Sequence, residues 1–142
     1  MSKQQLKEKI LSLLDHHQIG SMATVRGSRP YSRFMLFFHE GLTLYTATSK
    51  KAHKAEDIEE NPHVHLLLGY EGKAFRDQYA EVEATASVEE SKELKEKFWN
   101  GNLKDWIQSP DDPDYMLLKL QPTKISFFSK AGEEPEILDM QG

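Results

Sequence analysis

Residues 29–62 read Arg-Pro-Tyr-Ser-Arg-Phe-Met-Leu-Phe-Phe (29–38), His-Glu-Gly (39–41), Leu-Thr-Leu-Tyr-Thr-Ala-Thr-Ser (42–49) and Lys-Lys-Ala-His-Lys-Ala-Glu-Asp-Ile-Glu-Glu-Asn-Pro (50–62). The stretch predicts a strand over 31–38, a tight turn, an antiparallel strand over 42–48 and a helix over 50–60. Alternation puts Tyr31, Arg33, Met35 and Phe37 on one face of the first strand and Ser32, Phe34, Leu36 and Phe38 on the other. Both faces are largely apolar, which predicts a central strand. Arg33 is the exception, because a guanidinium in a buried strand requires a partner. Either a structural ion pair or a bound phosphate would satisfy it.

The helix over 50–60 carries its charges in inverted order. Lys50, Lys51, His53 and Lys54 crowd its start, and Glu56, Asp57, Glu59 and Glu60 its end. The helix dipole prefers the reverse, by about 0.3–1 kcal/mol per exposed charge. Lys50/Lys54 and Glu56/Glu60 are also like-charge pairs at i,i+4. An anion at the helix start, with Thr48 or Ser49 as N-cap, would account for the pattern. Asn61-Pro62 ends the helix.

Outward from this stretch, residues 3–17 space Leu6, Ile10, Leu13, Leu14 and His17 as one helical face, a lid over a barrel end or sheet edge. Residues 19–25 are β-prone, and Arg26-Gly27-Ser28 is a turn. Residues 63–69 form an apolar strand, and 75–88 a long strand with one solvated face. Residues 89–100 form a helix broken by Gly101-Asn102, and 103–107 a short helical turn. Residues 115–121 and 124–129 are two strands split by Pro122-Thr123. Residues 131–142 are a polar, flexible tail. The tally is a single α+β domain over 1–142: a mostly antiparallel, six- to seven-stranded closed or split barrel with peripheral helices.

Composition narrows the function. A net charge of -5 argues against nucleic acid. The chain has no cysteine, which removes disulfides, thiolate metal sites and Cys nucleophiles and fits a cytoplasmic setting. No apolar run approaches the roughly 18–20 residues of a membrane span, and the N-terminus lacks a signal-peptide core. His63 and His65 share a strand face without a third ligand at suitable spacing, and Asp111, Asp112 and Asp114 lack the remaining EF-hand pattern. No metal is expected. There is no G-x-G-x-x-G, no P-loop, no G-x-S-x-G and no His-Glu-x-x-His. What remains is a basic pocket for one phosphate beside a strand rich in Phe, Met and Leu. A mononucleotide with a flat apolar ring fits both. Arg33 and Lys54 would hold its phosphate, and backbone of residues 34–36 and 47–48 would face the ring.

At these residues the chain resembles the FMN-binding split-barrel proteins of the pyridoxamine 5′-phosphate oxidase superfamily, and within it the bacterial general stress protein 26 group. The resemblance rests on Arg33-Phe34-Met35, on Thr48, His53, Lys54, Ile58, Asn61, Pro62 and Val64, and on a Trp-rich half. That half holds Phe98-Trp99-Asn100, Leu103-Lys104-Asp105-Trp106 and Asp112-Pro113-Asp114-Tyr115 before Leu117-Leu118-Lys119. It spans about residues 5–130. It implies a homodimer with two FMN sites at the subunit interface, and a site built from Arg33, Phe34, Met35, Leu36, Ala47, Thr48, Ser49, His53, Lys54, Tyr79 and Phe128. Ala52 replaces a phosphate-binding Ser of some oxidases, Tyr79 stands near a flavin-contacting Gln, and Phe128 where relatives often have Trp. The oxidase's C-terminal Arg-x-His motif is missing, so the resemblance does not carry over that enzyme's own substrate. Three functions follow: an FMN oxidoreductase taking electrons from a donor such as NAD(P)H, a non-catalytic flavin store or sensor, or a related barrel binding haem or a deazaflavin.

Overall fold

Ser2 starts the first helix, α1 (Lys3–His16), through a reciprocal cap: its hydroxyl accepts from the Gln5 N–H at 3.1 Å, and the Gln5 side chain accepts from the Ser2 N–H at 2.9 Å. The structure, a computed structural model, describes residues 2–52, 54–70, 72 and 77–140, without the side chains of 54–56. Seven strands follow α1 among these residues: β1 (Ile19–Arg26), β2 (Arg29–Glu40), β3 (Thr43–Ser49), β4 (His63–Gly69), β5 (Tyr79–Glu89), β6 (Tyr115–Phe128) and β7 (Glu136–Asp139). Two further helices, α2 (Lys54–Glu60) and α3 (Lys92–Phe98), lie between strands. The sheet order is β3-β2-β1-β4-β5-β6-β7, and every pairing is antiparallel. A further pairing of β3 with β6 closes the first six into a barrel and leaves β7 outside. The expected α+β barrel is the observed one.

Two apolar clusters hold it together. Inside the barrel, Met22, Met35, Phe37, Leu44, Leu66, Leu68, Val82, Leu118, Ile125 and Phe127 pack with Leu6, Ile10, Leu13 and Leu14 of α1, which plugs one end. Outside, Phe98, Leu103 and Ile107 pack onto Tyr45, Ala47, Tyr115 and Leu117 of β3 and β6. Tyr45 and Ala47 thus face outward while Leu44 faces in, so β3 is buried on both faces.

Four expectations are corrected. Pro122-Thr123 does not split the last strand: β6 is continuous over 14 residues. The register skips one residue, with Glu83 opposite Lys124 and Ala84 opposite Pro122. Thr123 is the extra residue of a bulge, and its hydroxyl donates to the Glu83 carbonyl at 3.1 Å. A bulge is where a strand tolerates proline. The second helix begins at Lys54, because residues 50–52 form a turn in which the Ser49 hydroxyl accepts from the Lys51 N–H at 3.2 Å. Lys50 and Lys51 therefore lie outside it, Lys50/Lys54 is not an intrahelical pair, and neither Thr48 nor Ser49 caps it. The short helical turn comes earlier, at Gly101–Leu103, with the Asn100 side chain accepting from the Asn102 N–H. The polar segment 131–142 contributes β7, whose Leu138 is buried against the core.

The β4 strand ends at Gly69 with φ +98, and a Cβ there would lie 2.6 Å from the Gln78 carbonyl oxygen and 2.9 Å from the Tyr79 Cα. Both the dihedral and the space exclude a side chain. Gly69→Ala is expected to lower stability by about 2–3 kcal/mol, read as a reduced urea midpoint; an unchanged midpoint would show that this hairpin relaxes freely.

Candidate functional site

Strands β2 and β3 part company halfway along. Their ladder runs from Glu40 opposite Thr43 to Phe37 opposite Thr46 and stops. Beyond that point β2 stays paired with β1 and β3 stays paired with β6. Residues 34–36 and 47–49 are left facing one another without a ladder between them. In this seam the Thr46 hydroxyl donates to the Leu36 carbonyl at 2.8 Å. The seam opens into a cavity of about 610 Å³ lined by Phe34, Met35, Leu36, Ala47, Thr48, Ser49, Ile19, Ala52, Asn102 and Trp106. That size is within the usual range for small-molecule sites. Six of the eleven expected residues thus line one cavity.

The other five are distributed differently. His53 and the side chain of Lys54 lie outside the described residues. Arg33 precedes Phe34 but turns to the other face of β2, where its Nη1 donates to the Thr24 Oγ1 of β1 at 2.9 Å. Among the described residues this is its one side-chain hydrogen bond, although a guanidinium carries five N–H donors. Burial pushes its pKa below the ordinary value, Asp57 pulls it back up, and Arg26 lowers it further. Asp57 itself, on α2, is buried and held by Arg26 through Nε–Oδ1 at 2.9 Å and Nη2–Oδ2 at 3.2 Å. Asp57 thus acts on both guanidinium groups, through contact with Arg26 and through its charge on Arg33.

Tyr79 and Phe128 stack on each other with centroids 4.5 Å apart, and Tyr70 meets Tyr79 edge-on at 6.2 Å. They do not line the cavity. Tyr79 is on β5, three strands from β2 in either direction around the six-strand barrel. Phe128 ends β6, whereas Thr48 of the cavity pairs with Met116 near its beginning.

Asn102 and Trp106 come from the segment after α3, and the sequence reading did not place them in the site. Phe98 of α3 stacks on Phe38 at 5.2 Å and meets Tyr45 at a tilt of 32° and 5.0 Å. The Tyr115 hydroxyl donates to the Lys95 carbonyl at 2.8 Å, and Trp99 Nε1 donates to the Ile107 carbonyl at 3.1 Å. These bonds set the segment over the seam. The acidic loop that follows is clamped to the 50–52 turn: the Lys50 N–H donates to the Asp114 carbonyl at 2.8 Å, and Lys51 Nζ lies 3.2 Å from the Asp114 carboxylate. Asp112 accepts from the Asp114 and Gln108 N–H groups, which hold its carboxyl below the usual range. The cue to this wall lay in the Trp-rich half of the resemblance, in which both tryptophans fall.

The outer face of β2 also differs from expectation. It is covered only in part: Leu36 and Phe38 pack against the outer cluster, but Phe34 is 84% exposed, and Ile19 on β1 is 67% exposed. Leu67 on β4 and Tyr70 are exposed too. Among the described residues no group of three or more His, Cys, Asp or Glu could hold a metal ion, and no helix is long and apolar enough to cross a membrane.

The pyridoxamine 5′-phosphate oxidase family profile matches residues 6–129. The chain is 46% identical to General stress protein 26 of Bacillus subtilis over 140 residues, 99% of this chain and 100% of that protein. It superposes on the crystal structure of the General Stress Protein 26 from Bacillus anthracis with a TM-score of 0.86 at 44% identity, over 95% of this chain and 98% of that one. A heme binding protein from Mycobacterium smegmatis shares the fold, with a TM-score of 0.77 at 14% identity over 94% of this chain and 57% of its own.

Burial pushes the Tyr115 hydroxyl up to about 12 from 10.0. Its neutral form is favoured by folding, so that stability is fully present below pH 10.0 and is lost as pH rises towards about 12. Tyr115→Phe should be less stable at neutral pH, through the lost bond to Lys95, and should have a flatter alkaline limb. Thermal melts between pH 8 and about 11.5 check this; parallel limbs in both proteins would refute it.

Proposed function

The chain belongs to the pyridoxamine 5′-phosphate oxidase family, and on that premise we propose that it is an FMN-dependent oxidoreductase with a role in the stress response. The observation that carries this reading is the seam between β2 and β3. It offers unladdered strand edges at 34–36 and 47–49 in an apolar cavity of about 610 Å³. A flat, mostly apolar ring system with polar edge atoms is the kind of ligand that such a wall suits. Arg33 supplies the second half of the argument. Among the described residues its guanidinium bonds one threonine hydroxyl, although it carries five N–H donors. Ala52, which precedes His53 and Lys54 in the chain, lines the cavity.

In this reading the residues divide the work. The backbone of Phe34, Met35, Leu36, Ala47 and Thr48 orients the ring. Thr48 and Ser49 offer hydroxyls beside it, and Arg33 with Lys54 holds the phosphate. FMN, when bound, supplies hydride or electron transfer. The segment carrying Asn102 and Trp106 walls the cavity and limits access of water. No acid or base of the chain is assigned a step.

The same reading gives Tyr79 and Phe128 a place. They lie away from the cavity of their own chain, so they would serve the cavity of a second copy. The exposed side chains of Phe34, Ile19, Leu67 and Tyr70 are the apolar surface for that contact. The result is a homodimer with two flavins at its interface.

Arg33→Ala should weaken FMN binding by about 1.5–3 kcal/mol, or roughly ten- to 150-fold in Kd, followed by flavin fluorescence, with circular dichroism unchanged. Unaltered affinity would remove Arg33 from the phosphate site. A Soret band in the purified protein in place of a flavin spectrum would favour haem. Stopped-flow mixing of the loaded protein with NAD(P)H separates an oxidoreductase from a flavin store.

Leu67→Glu, outside the cavity, should convert the dimer to a monomer by sedimentation and weaken FMN binding at the same time. Dimers that survive this change would place the interface elsewhere.

A further inference from the structure

The seam cavity continues past Asn102. A second hollow, of about 570 Å³, is lined by residues 15–18 with Ile19, Leu36 and Asn102. The last three line both hollows, which therefore form one trough. Its chemistry changes along its length. The seam end is apolar, with Phe34 and the half-exposed ring of Trp106 at its wall. The other end, at the C-terminus of α1, offers hydrogen-bonding side chains: Gln18, His17 and Asn102.

Charge narrows the ligand class. Among the described residues neither hollow is lined by Lys or Arg. Asp15 contributes a carboxylate, engaged by His39 Nε2 at 2.7 Å. A ligand with an anionic head would meet no permanent cation there among the described residues, only the imidazoles of His16 and His17 beside the Asp15 carboxylate. A neutral one with carbonyl oxygens would meet the amide donors of Gln18 and Asn102. The aromatic wall favours a flat apolar body, which gains from ring contacts beyond its buried area.

Resting on the FMN reading above, we propose that this trough is a second-ligand subsite for a neutral, planar quinone. The ring packs against Trp106, and a carbonyl oxygen accepts from the Asn102 amide. Trp106 and Asn102 are then specificity-determining residues, carried by the segment that α3 and Tyr115 fasten to the barrel.

The test uses menadione, titrated calorimetrically into full-length wild type saturated with FMN and into Asn102→Ala and Trp106→Ala treated alike. The chain has no cysteine, so thiol addition to the quinone does not intrude. Wild type should show saturable single-site binding, weakened about five- to tenfold in each variant. Absence of saturable binding to loaded wild type would overturn the proposal, as would affinities within twofold of wild type in both variants. Variants that no longer take up FMN would overturn it too, by assigning both residues to the flavin. A wild type that takes up no FMN defeats the flavin reading instead. The same titrations on that unloaded protein then decide the subsite: binding weakened in both variants supports it, and no binding overturns it.

Discussion

Six residue pairs between β3 and β6, from Leu44–Leu120 to Ser49–Tyr115, close the sheet, and the site follows from that closure. A strand has two edges. Once β3 gives one edge to β6 from Leu44 to Ser49, it can follow β2 only while the twist of the barrel permits. The two separate after Phe37 and Thr46. Backbone that would otherwise belong to a ladder is left at the cavity wall, where a ligand can use it. The barrel thus creates its seam by being closed elsewhere.

Charge at one end of the barrel follows a similar logic. The inverted pattern of residues 50–60 suggested an anion at a helix start. The helix starts too late for Lys50 and Lys51 to take part, and Asp57 has a structural task as the buried partner of Arg26. Arg33, part-buried and bonded to one threonine hydroxyl among the described residues, is then the group to which an anion would add a further partner.

What the sequence revealed was what short-range pattern encodes. Alternation found β2 and β3 and, through residues 34–36 and 47–48, half of the residues that line the cavity. Helical spacing found the four buried residues of α1. What it missed depends on partners distant in the chain. The Pro122 break disappears because Thr123 can bulge against Glu83 on β5. The helix start is displaced because residues 50–51 are bound by Asp114, far along the chain. Trp106 and Asn102 enter the site only because Phe98 and Tyr115 dock their segment on β3 and β6. Alternation also counts faces without saying whether anything covers them, which is why the apolar outer face of β2 read as buried.

That outer face bears on Tyr79 and Phe128, two of the expected residues that do not line the cavity. Met35, Gly20, Leu68, Ala80 and Phe127 form one row across five strands. Tyr79 and Phe128 are sequence neighbours of the last two. Since Ala80 and Phe127 point into the core, Tyr79 and Phe128 point out, on the side of the barrel away from β2. Three interstrand steps of about 4.8 Å separate β2 from β5 along the sheet, with the packed interior between them. No side-chain rotation within one chain brings that aromatic stack to the seam. If Tyr79 and Phe128 contact the ligand at all, the contact crosses between copies, and the exposed Ile19, Phe34 and Leu67 then become the surface that allows it.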